Sequence, residues 1–321
     1  MKKFVLYSIT FSIPFVLFIF CFELSLRQVP NRYSFKNDLI VQKGACIKHM
    51  VIGSSVAGDG INTHYLPDST YNLSMPAQWF RLNKALLEAN LDKLPNLESV
   101  IWGIAYQGMW SDEISDNGAF ENMRGEENEH HLTCHNLYMD ICFDRSLLRF
   151  SEFLSCSRLS WEKWYKYYIL REDVISYDSL GCYKSGSILA EDRFENMAST
   201  VKSYTRLKNE TSHRVYQENI QRMNDVADLC SKKGVTLHIV ITPHYKEFCK
   251  YADFEQVCEM KSAIKSVADK WENVFMHDYF NDSRFVDEDF GNGNHLSYDY
   301  GATKFSKILN EDLYGYSGML P

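Results

Sequence analysis

The hydrophobic pattern divides the chain sharply. Lys2 and Lys3 precede an uncharged run, FVLYSITFSIPFVLFIFCF, of 19 residues from Phe4 to Phe22, closed by Glu23. About 20 apolar residues span the hydrocarbon core as a helix, and a membrane helix tolerates an internal proline such as Pro14. A cleaved signal peptide has a shorter apolar stretch and a small-x-small cleavage site. The sequence Phe20-Cys21-Phe22-Glu23-Leu24-Ser25 has no such site, so residues 1–25 are read as an uncleaved transmembrane anchor. Lys2 and Lys3 on one side and Arg27, Arg32 and Lys36 on the other nearly balance the positive-inside count. A short tail inside and a large domain outside is the simpler arrangement. No second charge-free run of that length follows, which predicts a single pass.

Beyond the anchor, residues 26–45 read as a stalk and lead-in, broken at Pro30-Asn31-Arg32. Residues 46–321 read as one domain. Ile47–Ile52 is a strand ending at Gly53, and Ser54–Gly60 a loop. Trp79–Asn90 carries apolar residues at helical spacing. Leu97–Trp102 is a second strand, ending at Gly103. From 107 to 210 no strand–helix alternation emerges, and the segment reads as a mostly helical insertion. Regularity returns with a helix over Arg214–Lys233, the β-branched strand Val235–Ile241, a helix over Phe254–Trp271, a strand over Val274–His277 and a last helix over Gly301–Leu313. Helices alternating with near-continuous apolar strands predict an α/β fold, a three-layer sandwich around a mostly parallel, flavodoxin-like sheet. In such sheets the site lies beyond the carboxyl ends of the strands. That rim holds Ser54, Ser55, Gly103, His244 and Asp278.

Composition refines this picture in two places. With 34 Lys+Arg against 42 Asp+Glu, 45% apolar and 24% charged residues, the chain is no disordered tail, collagen or polytopic membrane protein. The acid excess also argues against nucleic acid as a partner. Setting aside Cys21 leaves eight cysteines, Cys46, Cys134, Cys142, Cys156, Cys182, Cys230, Cys249 and Cys258. An even number outside the membrane fits an oxidising compartment and predicts at least one disulfide; Cys249 and Cys258 are close enough to close a small loop. The competing reading is buried apolar thiols. No C-x-x-C spacing points to zinc or redox chemistry. No cofactor and no metal is expected. The cluster His130, His131 and His135 has metal-compatible spacing without a compact set of further ligands.

Two segments carry candidate chemistry. In Val51-Ile52-Gly53-Ser54-Ser55 a serine follows a strand in a glycine-containing turn, where backbone N–H groups can stabilise an oxyanion. Far downstream, Gly291-Asn292-Gly293-Asn294-His295-Leu296 places a histidine in a polar loop before a helix. A serine nucleophile needs a base close in space and not in sequence.

Together with their flanks, HMVIGSSVAGDGIN, TYNLSMPAQ, LESVIWGIAY, LHIVITPHYKEF and YFNDSRFVDEDFGNGNHLSYDYGATKFSKIL, these blocks resemble the SGNH/GDSL hydrolase superfamily. The nearer likeness is to its membrane-anchored bacterial branch associated with cell-surface polysaccharide modification. It covers most of residues 33–315 and is weak over 107–210. It implies Ser55 as nucleophile, with Ser54 where many members have Asp, and His295 as base. The family's Asp three residues before the histidine is Asn292 here, which can orient an imidazole but brings no charge; Asp289, Asp287 and Asp278 are the alternative acids. The usual oxyanion glycine and asparagine are missing, leaving the Ser55 N–H with Ser74, Gln78 and Gln107 as candidate donors. His244 is a candidate substrate contact.

The resemblance thus implies a serine esterase or O-acyltransferase acting on an acylated cell-envelope glycan. Its expected partners are that glycan or an acyl donor, the membrane through residues 4–22, and a membrane acyltransferase. Its expected location is the inner or cytoplasmic membrane, with the domain on the periplasmic or extracellular side. The competing reading is a catalytically inactive domain of the same fold, serving as a scaffold in surface-polysaccharide assembly.

Overall fold

The computed structural model describes residues 2–113, 126–141, 150–155, 157–183, 192–205 and 210–315. Cys142, Cys156 and the His130 side chain lie outside the described set. In chain order the elements are α1 (Lys2–Arg27), α2 (Arg32–Lys43), β1 (His49–Gly53), α3 (Ser55–Gly60), β2 (Thr70–Asn72), α4 (Phe80–Asn90) and β3 (Ser99–Ile104). Then come α5 (Glu126–Tyr138), α6 (Glu152–Ser155), α7 (Ser157–Tyr168), α8 (Met197–Tyr204) and α9 (Glu210–Lys232). The last are β4 (Thr236–Ile241), α10 (Lys246–Tyr251), α11 (Phe254–Lys270), β5 (Val274–Asp278) and α12 (Thr303–Tyr314). The chain forms two compact units, residues 1–37 with 122–176 and residues 38–121 with 177–321.

In the first unit, α1 contains Pro14 and continues past the apolar run to Arg27. Its Tyr7–Arg27 stretch has a mean hydropathy of 2.1 and is long and apolar enough to cross a membrane. Glu23, at the end of the run, accepts hydrogen bonds from the N–H groups of Glu152 (3.1 Å) and Phe153 (3.0 Å) and from Ser151 Oγ (2.9 Å). It therefore satisfies the donors that open the short α6, which have no acceptor within the helix. Two of the clustered histidines are buried here: His131 Nδ1 lies 2.7 Å from the Tyr33 hydroxyl, and His135 Nδ1 donates to the His131 carbonyl at 2.8 Å.

The second unit is built on a five-stranded, all-parallel sheet in the order β2-β1-β3-β4-β5. This is a doubly wound order that reverses between β1 and β3. Side chains alternate faces along a strand. His49, Ser99 and His238 point to one face, where Tyr314 of α12 meets all three. Trp102 points to the other and packs on Phe80 of α4, 4.9 Å between ring centroids. Lys84 of α4 pairs with Asp225 of α9, and Lys261 of α11 with Asp278 at the end of β5. Helices thus cover both faces, which explains why β1 and β3 are buried from end to end.

Three sequence expectations change. Residues 55–60 form the helix α3 and not a loop. Thr70–Asn72, not read as a strand, pairs with β1 in register His49 to Thr70. Cys249 and Cys258 are free thiols, and among the described residues no cysteine forms a disulfide. Cys249 Sγ lies 3.2 Å from the Phe280 carbonyl while Cys258 is exposed on α11, so the two do not close a loop. Burial pushes the Cys230 thiol up to about 12, as for an apolar core residue.

Candidate active site

The site stands at the carboxyl ends of β1 and β3. Gly53 ends β1 with φ +136°, a conformation that L residues rarely adopt, and a Cβ there would lie 2.5 Å from the Gly103 carbonyl oxygen. A Cβ on Gly103 would lie 2.6 Å from the Ala57 methyl. The two glycines let α3 press directly against the strand ends. Asn72, just after the Cβ-free approach in space, fastens α3 from the side: its Nδ2 donates to the carbonyls of Ala57 (3.3 Å) and Ile61 (2.9 Å). Ser55 is the first residue of this clamped helix, so its own N–H has no acceptor within the helix.

The histidine arrives from the other end of the chain. Its loop is closed by the isolated bridge between Phe290 and Leu296, and the His295 carbonyl accepts from the N–H groups of Gly291 (2.9 Å) and Asn292 (3.3 Å). Ser297 N–H donates to the Asp289 carbonyl at 2.8 Å, and Ser297 Oγ accepts from Gly301 N–H at 3.1 Å, which ties the loop to the turn that opens α12. So held, His295 Nε2 lies 2.8 Å from Ser55 Oγ across 240 residues of sequence.

Asn292 decides the direction of that hydrogen bond. Its Oδ1 accepts from the backbone N–H groups of Asn294 (3.1 Å) and His295 (3.0 Å). Backbone N–H groups only donate, so the atom they meet is the oxygen and not the amide nitrogen. The same Oδ1 lies 3.1 Å from His295 Nδ1. Nδ1 therefore carries the ring proton and donates it to Asn292. Nε2 is left with a lone pair facing Ser55, the tautomer required of a general base.

The charge that Asn292 does not supply has another source. Burial lowers the His295 pKa below the ordinary histidine value, and the carboxylate of Asp59 pulls it back up. Asp59 follows Ser55 by four residues on α3, so both lie on one helical face. No local sequence signal marks Asp59, because 54–60 reads as a loop; the i, i+4 relation exists only once that segment is helical. The alternative acids are engaged elsewhere. Asp278 pairs with Lys261 at 2.6 Å, Asp287 with Lys246 at 2.6 Å, and Asp289 with Lys304 at 2.7 Å and the Val286 N–H at 2.9 Å.

Two oxyanion candidates use their donors elsewhere. Both the N–H and the hydroxyl of Ser74 donate to Asn72 Oδ1. Both hydrogens of the Gln78 amide are used on the Leu73 carbonyl (3.4 Å) and Asn83 Oδ1 (2.8 Å). Gln107 is buried with its Oε1 unpartnered. The Ser55 N–H, at the first position of α3, has no acceptor within the helix. His244 is buried; its Nδ1 donates to the Thr242 carbonyl at 2.8 Å, and its Nε2 has no partner. Burial brings its pKa down to about 4, with His295 adding to the effect. It is thus a neutral acceptor next to the base, and Tyr245 N–H joins the two loops through the Gly293 carbonyl at 2.9 Å.

The arrangement can move a proton from a serine hydroxyl to an imidazole held in one tautomer, at a helix start whose N–H is unspent. A scan against protein-family models matches none, and a search of curated proteins finds no significant relative.

Proposed function

We propose that this chain is a serine-dependent acyl-transfer enzyme, an esterase or O-acyltransferase, with Ser55 as nucleophile and His295 as base. The observation that carries the reading is the 2.8 Å contact between Ser55 Oγ and His295 Nε2, with the tautomer set by Asn292. Ser55 Oγ attacks the ester carbonyl as its proton passes to Nε2. The oxyanion forms by the Ser55 N–H. Collapse expels the alkoxide, which takes the proton from His295, and leaves an acyl-serine. Water or a sugar hydroxyl, deprotonated by the same Nε2, then releases the acyl group. Asn292 orients the ring, and Asp59 contributes the negative potential that favours the imidazolium.

The proposed substrate class, an acylated cell-envelope glycan, rests on the sequence resemblance, and the membrane-length helix supports a membrane location. The competing scaffold reading draws on one observation, the uncharged Asn292 beside the ring. Labelling with a fluorophosphonate separates the two. Wild type should be labelled, and Ser55→Ala and His295→Ala should not. Wild-type protein that is folded and unlabelled would sink the hydrolytic reading in favour of the scaffold.

A further inference from the structure

We infer that the Trp161 face of α7 lies in the lipid interface of the bilayer that α1 crosses, so that the first unit rests on the membrane and does not merely hang from it. The inference depends on α1 being a membrane anchor. Phe22 is the last residue of the apolar run, and its ring lies 5.6 Å from Trp161 and 5.8 Å from Trp164. Trp164 Nε1 donates to Ser25 Oγ at 2.9 Å, and the Tyr168 hydroxyl reaches the Ser25 carbonyl at 3.3 Å. The second turn of α7 therefore lies beside the end of the apolar run and is bonded to the last turns of α1 that follow it.

The outward stripe of α7 is not that of a water-facing helix. Trp161, Tyr165 and Ile169 follow one another at i, i+4 and i+8 and are 53%, 44% and 53% exposed. This stripe continues the lipid-facing surface of α1, since Phe18 is exposed and stacks on Phe22 with an interplanar angle of 1°. A tryptophan and a tyrosine at the boundary of a membrane helix are the residue types of the interfacial belt, where an apolar ring meets a polar edge. The Glu162–Lys166 pair, 2.7 Å apart, occupies neighbouring positions suited to the headgroup side.

The test uses the full chain in phosphatidylcholine nanodiscs with plain or brominated acyl chains. The fluorescence difference between wild type and Trp161→Phe isolates Trp161 from the other tryptophans. Loss of this difference signal in brominated discs, with protection from aqueous acrylamide, is expected. Ile169→Trp, at an exposed position, adds a second reporter that should be quenched from the lipid side. Alkaline carbonate extraction tests the anchor separately. A chain that stays with the membrane while both reporters ignore bromine and are quenched by acrylamide overturns the inference and leaves the anchor standing. A chain released by carbonate overturns both.

Discussion

Asn292→Asp restores a charge at the place where the candidate site lacks one. The side chains are isosteric, so Oδ1 keeps the N–H groups of Asn294 and His295 and its contact with Nδ1 at 3.1 Å. What changes is a negative charge with its centre about 4 Å from the imidazolium, which is about 4 kcal/mol at an effective dielectric of about 20. Position 292 is exposed, and screening reduces such a contribution to about 1 kcal/mol. The expected gain is then about 5-fold in the rate of serine modification. That is well below the roughly 10⁴-fold effect of a buried triad aspartate. The His295 pKa also rises, so the acid limb of the pH profile moves to higher pH. The second-order rate of fluorophosphonate labelling from pH 4 to 9 reads both. A folded variant with an unchanged rate and an unmoved acid limb would refute the claim that His295 takes the Ser55 proton.

The reverse perturbation, Asp59→Asn, removes the charge that holds the His295 pKa up; the acid limb should move to lower pH and labelling should slow about 3- to 10-fold, and a profile identical to wild type would exclude Asp59 from the site. Gly103→Ala drives a methyl to 2.6 Å from Ala57 Cβ, so urea unfolding should show a loss of about 1–3 kcal/mol, with labelling reduced even where the variant is fully folded because Ser55 moves with α3. Glu113 Oε1 caps α4 by accepting the N–H groups of Trp79 (2.7 Å) and Leu82 (3.2 Å), and burial followed by the Asp112 charge pushes its carboxyl up to about 8 from an ordinary 4.5. The unfolded chain binds fewer protons between those values, so this carboxyl costs stability as pH rises through that window; Glu113→Gln keeps the accepting oxygen and should gain on wild type between pH 5 and pH 8, whereas parallel unfolding midpoints would count against the raised pKa.

What the sequence made legible follows from physics that is local. Strands β1, β3 and β4 were readable because burial on both faces makes their residues nearly continuously apolar, edge strand β5 because Val274-Phe275-Met276 is a short apolar run after a helix, and α4, α9, α11 and α12 because one face is apolar. Strand β2 was not, since Thr-Tyr-Asn is three residues long and owes its conformation to pairing with β1. Helix α3 was hidden by Gly58 and Gly60, poor helix formers. With α3 hidden, the link from Ser55 to Asp59 was hidden too. Ser55, His295 and Asn292 were legible as residue types in polar turns after a strand and before a helix. The spent donors of Ser74 and Gln78 were not, because their partners Asn72 and Asn83 are ordinary asparagines until the fold brings them near. The grouping of residues 1–37 with 122–176 likewise depends on pairs such as Glu23 with the start of α6, which no local pattern announces.

The 240 residues between Ser55 and His295 also set a timetable. Translation at roughly 5–20 residues per second puts about 12–48 seconds between the emergence of the nucleophile and that of its base. During that interval the serine is an ordinary alcohol on an incomplete sheet, with no base beside it. The 2.8 Å contact with His295 forms only once the 290–296 loop docks. On the proposed serine-dependent reading the separation of the pair is thus a latency, and a chain truncated before residue 295 would not take up a fluorophosphonate.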